Sequence, residues 1–336
     1  MFSIRQNIFQ RSTRLPRKRN LLGMDYVYNS QPYVYVVAKN EYAAGLDVVS
    51  QAQPFIAAYD NSIKTIPFTP TGSNHIDVQM WQYLGGSAGS TTISAMNTFC
   101  NSIDSAGLRT KFYRLNLFCG NNLNSCLIPL YISTSWLSPN YGFLTDTNNN
   151  FDSNDYTETG ASGGLLGNGS TKYLDTRLTL NEAGSIGHVS CYHKGAMNTA
   201  SANVLIRGGD GTNTIGLDVQ SSAQGGLIRG FWSPANVASF STNSGGHYVL
   251  TRRSSTDMVL YTNGSTTRGD STTTTSVSFP LSSWSLYIFA LNNVGVASSL
   301  CPTRIQGYSV GASMTASEVG SFSTIMQTFQ TSLGRN

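Results

Sequence analysis

Side chains able to do chemistry are few and widely spaced in this chain, where only 11% of 336 residues are charged. The densest group of oxygen ligands is Asp146, Asn148, Asn150, Asp152 and Asp155, whose alternation matches the opening of a calcium-binding loop. Phe151 then stands where such a loop needs glycine, and Thr157 where a bidentate Glu would close it. A solvated turn is the leading reading. Ca2+ at Asp146, Asn148, Asn150 and Asp152 is the alternative, and no other cofactor is expected.

Nucleophilic and acid–base patterns are equally thin. Gly85-Gly86-Ser87-Ala88-Gly89 and Gly160-Ala161-Ser162-Gly163-Gly164 fit Gly-x-Ser-x-Gly, the turn that exposes a reactive serine between strand and helix. A chain with 33 glycines produces such matches by composition. Glycoside hydrolysis needs two carboxyl groups flanking the scissile bond, and none of Glu41, Glu158, Glu182 and Glu318 has a second acid two to four residues along a strand. Only acids from distant strands, meeting in the fold, would serve. His188 and His193 flank Cys191, too few ligands for a metal site. No residue is assigned a catalytic role. Trp232, beside Ser233-Pro234, is the candidate platform for stacking on a sugar, with burial in a strand the competing outcome.

Any such groups would be held by extended chain. Asp257 to Thr262 and Ser265 to Arg268 are joined at Asn263-Gly264, the dipeptide that most easily adopts the two positive φ angles of a type I′ hairpin turn. Further strands are expected at 165–174, 187–193, 203–207, 216–220, 226–232, 247–252, 284–291 and 303–309, separated by turn residues at the spacing of an antiparallel sandwich. Upstream, 62–68, 75–84 and 126–133 also read as strand-like. A helix is expected over 92–106, with Ile93, Met96, Phe99, Cys100 and Ile103 on one face and Gly107 ending it. The last helix starts at Thr315-Ala316-Ser317-Glu318, which has capping-box form. It carries Val319, Phe322, Ile325, Met326, Phe329 and Leu333 as an apolar stripe and stops at Gly334.

Composition bounds the setting. Hydrophobic content is an ordinary 40%, so Ser, Thr, Asn and Gly must cover the surface in place of Lys and Glu, as suits an extracellular or virion scaffold better than a cytosolic enzyme. The basic excess belongs to the start: Arg5, Arg11, Arg14, Arg17, Lys18 and Arg19 supply six of the 21 positive charges, leaving 15 against 17 acidic residues elsewhere. That arm is read as an anchor on a partner, as a contact for packaged nucleic acid, or as a presequence. Residues 25–38 are rich in Tyr and read as extended chain that packs on its own body or on a neighbouring subunit. Cys100, Cys119, Cys126, Cys191 and Cys301 show no Cys-x-x-Cys spacing and are expected to be reduced and buried. No membrane span is expected.

The stretch from Gly311 to Val319, running into Gln327 to Arg335, resembles the ending of laminin-G-like, concanavalin A-like proteins of bacteriophages and environmental bacteria. The segment Gly163 to Thr176 is similar to the first strand pair of that sandwich, and Leu260-Tyr261-Thr262-Asn263-Gly264 to its hairpin. The resemblance implies a jelly-roll of two antiparallel sheets, found in virion spikes, fibres and head-surface proteins and in some glycan binders.

The chain is therefore read as mainly β, an antiparallel concanavalin A-like sandwich over 145–336 with a C-terminal amphipathic helix. A basic, Tyr-rich arm (1–40) and a small mixed α/β region (41–144) precede it. The expected function is a non-enzymatic virion structural protein. Its expected partners are copies of itself, perhaps as a trimer, other virion proteins, nucleic acid through the arm and a host surface glycan. A free carbohydrate-binding lectin is the alternative, and a hydrolase the least favoured.

Overall fold

The structure, a computed structural model, describes residues 55–59, 62–66, 72–132, 145–195, 203–209, 214–219, 227–232, 237–240, 245–265, 268–271 and 284–335. The six basic residues of the arm and the Tyr-rich segment lie outside them. The chain divides into two units, Met1–Tyr83 with Ser133–Gly142 and Leu84–Ile132 with Phe143–Asn336. In the first, strands β1 (Phe55–Tyr59) and β2 (Ser62–Ile66) form an antiparallel pair, and α1 (Ile76–Tyr83) is a two-turn helix.

The second unit begins with α2 (Ser90–Ser105), β3 (Phe112–Asn116), the single turn α3 (Leu123–Cys126) and β4 (Tyr131–Ile132). After Phe143 come β5 (Thr147–Asn149), β6 (Tyr156–Thr157), β7 (Gly164–Leu166), β8 (Tyr173–Thr179), α4 (Leu180–Ala183), β9 (Gly187–Lys194), β10 (Asn203–Gly209) and β11 (Thr214–Val219). The chain continues through β12 (Ile228–Trp232), β13 (Val237–Phe240), β14 (Gly246–Ser254), β15 (Asp257–Thr262), β16 (Arg268–Ser271), β17 (Ser285–Ile288), β18 (Leu291–Asn293), β19 (Val296–Ser298), β20 (Arg304–Gly311) and α5 (Ala316–Ser332). One sheet has the order β13-β12-β11-β10-β17-β8-β5, with β18 running parallel to β10 and carrying β19. The other has the order β16-β15-β14-β9-β20-β3-β4, with β7 and β6 added at β20. The protein is a mainly β sandwich with a C-terminal helix.

Strand alternation assigns each face. In β9, Val189 and Cys191 face the first sheet across a core shared with Leu205, Leu217 and Trp232. The intervening Ser190 and Tyr192 point to the other side, where α5 lies: Tyr192 Oη donates to Gln327 Oε1 at 2.7 Å. Helix α2 packs on α5 through Phe99 and Phe329, whose ring centroids are 5.6 Å apart. At the start of α5 the Thr315 side chain accepts from Glu318 N and the Glu318 carboxylate from Thr315 N, which satisfies backbone donors that a helix start leaves free. Gly334, at φ 65°, ends it.

The Asn263-Gly264 turn forms as expected, with φ 49° and 70° and Ser265 N–H donating to Thr262 O at 2.8 Å. Asn263 also exchanges two bonds with His247, giving its N–H to the carbonyl and accepting the amide at Oδ1. A Cβ on Gly264 would lie 3.0 Å from Ser323 Cβ and 3.2 Å from Gly320 Cα in α5, so the hairpin tip lies close against the helix where a glycine leaves room.

Several expectations are corrected. The boundary at 144/145 is displaced, because β3 pairs with β20 in the second sheet and carries residues 84–132 into the sandwich unit. Residues 76–83 are helical rather than extended; Asp77, Val78 and Trp81 are buried at i, i+1 and i+4, and Asp77 suits a helix start. The run 126–133 contributes only β4 as strand, since Asn122 caps α3 at one end and Pro129 has no N–H to give. The stretch 165–174 is not one strand: Asn168 Oδ1 accepts the N–H groups of Ser170, Thr171 and Lys172, and this turn sends β7 to the second sheet and β8 to the first.

Candidate functional site

Chemical side chains converge on the outer face of the first sheet. Ile215, Leu217 and Val219 turn into the core, so Thr214 and Asp218 of β11 point out. Pairing places Arg229 beside Asp218 and Phe231 beside Gly216 on β12, and Arg207 of β10 opposite Gly216 on the other side. Further along, Tyr287 of β17 stands opposite Asp175 of β8.

Asp218 is the hinge of this face, with a side chain only 1% exposed. Arg229 reaches it through Nε at 2.8 Å and Nη2 at 2.7 Å, and Arg207 through Nη1 at 3.1 Å. Burial raises the Asp218 carboxyl and lowers the Arg207 guanidinium, each opposed by the attraction of the pair. With two guanidinium groups donating to it, Asp218 is a carboxylate at neutral pH. The same guanidinium groups lie over Phe231, 3.8 Å from its centroid for Arg207 and 5.0 Å for Arg229, a cation–π stack that holds them flat. Two strands away, Tyr173 and Tyr287 stack at 4.7 Å, and burial, then Asp175, pushes the Tyr287 phenol up to about 12. Asp175 accepts from Ser285 Oγ at 2.5 Å and lies 3.3 Å from Arg177.

The arrangement lines up fixed donors, acceptors and aromatic rings on one face, where Phe231, Tyr287, Asp175 and Asp218 are buried and Arg229 is partly exposed. Asp175 and Asp218 share it, but β10 and β17 lie between their strands. Three strand spacings amount to roughly 14 Å, beyond the ~5–9.5 Å of glycosidase carboxyl pairs.

The residues proposed from sequence are elsewhere. Trp232 faces the core with no exposed surface and donates Nε1–H to Gly184 O at 3.2 Å. It therefore cannot act as a sugar platform, because alternation turns Phe231 out and Trp232 in. The four side chains of the calcium reading are each engaged with separate partners. Asp146 is buried against Arg114 Nη2 at 2.7 Å and accepts from Tyr308 Oη at 2.6 Å. Asn148 closes its own loop by bonding the N–H and carbonyl of Phe151, and Asn150 reaches Thr171 O. Asp152 caps the following turn, where Lys172 Nζ lies 2.5 Å from Asp155.

Ser87 accepts from Asn121 Nδ2 at 3.1 Å, and Ser162 is exposed. His188 bonds Ala312 O at 2.7 Å and Ser309 Oγ at 2.8 Å. His193 points to the opposite face and stacks on Tyr248 at 5.2 Å, so the His188, Cys191 and His193 set is split across the sheet. All five cysteines are buried. The outward row escaped sequence reading, though its signal was present: Arg207, Asp218 and Arg229 each interrupt an apolar strand at the alternate position.

No protein-family model matches the chain, and no curated protein matches it. Among solved structures, a mutant of Trypanosoma rangeli sialidase displaying trans-sialidase activity aligns with TM-score 0.43 and 11% identity, over 70% of this chain and 39% of that one. Domain 4 of AbnA, a GH43 extracellular arabinanase from Geobacillus stearothermophilus in complex with arabinotriose, aligns with TM-score 0.43 and 18% identity, over 63% and 98%. The Ruminococcus gnavus IT-sialidase CBM40 aligns with TM-score 0.36 and 11% identity, over 46% and 92%. The chain spans 39% of the sialidase chain. With TM-scores below 0.5, these likenesses bear on neither function nor ligand.

Proposed function

We propose that the chain is a non-enzymatic structural protein of a bacteriophage virion that touches glycans through the outer face of its first sheet. The observation that carries the glycan reading is the row Phe231, Arg229, Asp218, Arg207, Tyr287 and Tyr173. It sets aromatic surfaces beside hydrogen-bonding groups fixed by their own ion pairs, the mixture by which sites orient polar ligands. The virion reading rests on the charge-poor composition, the basic arm and the resemblance of the C-terminal sequence. Its partners would be copies of the chain, other virion proteins and nucleic acid at the arm.

A glycan array on the purified protein tests the first part. Arg229→Ala and Tyr173→Ala should each weaken the strongest signal at least fivefold, with no glycan cleaved. Turnover of a glycan or ester that Ser87→Ala or Ser162→Ala abolishes would replace this reading with a hydrolase. Imaging of particles assembled with and without residues 1–22 tests the second part. A monomer that never enters particles yet binds sugar would be the free lectin.

A further inference from the structure

We infer that Arg177 makes the outer face of the first sheet select sugars that carry a carboxylate. The inference rests on the glycan reading above, to which it adds a residue and a ligand class. Arg177 stands on an irregularity in β8: Ser285 of β17 pairs with Thr179 and Tyr287 with Asp175, so Leu286 alone spans Thr176, Arg177 and Leu178. A bulge of this kind breaks alternation and re-aims a side chain. The Asp175 carboxylate accepts the Arg177 N–H at 2.8 Å and the Ser285 hydroxyl at 2.5 Å. Thr176 Oγ1 donates to Leu286 O at 2.8 Å and accepts the Leu178 N–H at 3.2 Å. Held this way, Arg177 has φ 58°, left-handed backbone that a residue with a side chain adopts only under strain. The turn itself calls for glycine; the reason for an arginine lies in its side chain.

That side chain is returned to the sheet face. Nε donates to Thr147 Oγ1 at 3.0 Å and lies 3.3 Å from Asp175 Oδ2. Thr147 of β5 pairs with Asp175, and Asn149, two residues on, pairs with Tyr173. The guanidinium and the Tyr173 ring therefore stand about 7 Å apart along the strands, close enough for one sugar ring to meet both. Tyr173 is half-buried and stacked on Tyr287. Burial, Asp175 and Tyr173 push the Tyr287 phenol up and Arg177 opposes them, which sets its charge beside the same aromatic pair.

Accessible charge on this face is positive. Arg177 is 41% exposed, Arg229 22% and Arg207 15%, against 12% for Asp175 and 1% for Asp218. Three guanidinium groups thus face two carboxylates, and the carboxylates are the covered partners. Asp152, beyond β5, has Lys172 3.5 Å away as its own counter-charge. A neutral sugar offers such a face single hydrogen bonds from its hydroxyls. A carboxylate takes two parallel N–H groups of one guanidinium and cancels the surplus charge.

Calorimetry of the full chain tests the inference, with an oligogalacturonate, the same oligosaccharide after carboxyl reduction to galactose, and a sulfated galactose oligomer. The uronate should bind about tenfold tighter than its reduced form, an advantage that shrinks as salt is raised. Arg177→Gly, which suits the positive φ and so keeps the bulge, should bring that ratio to about one. Arg177→Gln should do the same without freeing the backbone, and Arg253→Ala, which removes a cation from the other sheet, should leave the ratio unchanged. Equal binding of uronate and reduced form, a preference for the sulfated oligomer, or a uronate advantage that survives both Arg177 variants overturns the inference. Equal binding that Arg229→Ala weakens would leave the glycan reading standing without its acidic preference. If neither form binds and the glycan array is blank, the sheet-face reading falls and this inference with it.

Discussion

Acid should unfold this sandwich through its buried histidines, and His193 gives the cleanest measure. Its ring is fully buried, stacked on Tyr248, with neither nitrogen hydrogen-bonded among the described residues, and burial alone lowers its pKa to about 4. The unfolded chain takes up its proton near pH 6.5, the folded one only near 4, so the stabilisation is complete above 6.5 and is lost as pH falls through that interval. From these two values the loss is about 2 kcal/mol at pH 5 and about 3 kcal/mol by pH 4. His188 is lowered to about 4 by burial, which outweighs the Ala312 carbonyl, and His247 to about 3 by burial and then by His188. Those two share a cost and do not add independently. Urea unfolding at pH 7 and pH 5, on the parent protein and on His193→Phe, isolates the first term. Phe keeps the stack on Tyr248 and forfeits no hydrogen bond, so the variant should stay within about 1 kcal/mol of the parent at pH 7. It should also lose about 2 kcal/mol less than the parent on going to pH 5. Equal slopes in the two proteins would refute the assignment of this stability to His193.

Asp146→Asn should cost about 3–5 kcal/mol by leaving the Arg114 charge unpaired in the core, read by urea unfolding, while a calcium titration of the parent should leave its melting temperature unmoved. A calcium-dependent rise in that temperature would restore the metal reading of the loop. Trp232→Ala should lower stability by about 3–5 kcal/mol as a core truncation. Once corrected for unfolded protein, its glycan-array signal should match the parent's.

What could be read ahead of the structure was local chemistry. The capping box at Thr315, the ends of β15 and the two positive φ angles at Asn263 and Gly264 each depend on residues within a few positions of one another, and all three formed. What escaped depended on distant partners. Asp146 looks like a loop carboxylate until Arg114, 32 residues earlier, is set beside it, and β3 looks separate until it lies against β20. Trp232 and Phe231 are neighbours in sequence, and only the pairing of β12 with β11 decides which of them enters the core between the sheets and which lies under the Arg207 and Arg229 guanidinium groups on the other face.

Strand β20 sits between β9 and β3 and pairs with both. During synthesis, β3 and β9 leave the ribosome with one side of their backbone unpaired and must wait for residues 304–311 to separate and satisfy them. The centre of the second sheet is thus assembled last, and its two halves carry open edges prone to pairing with other chains until then.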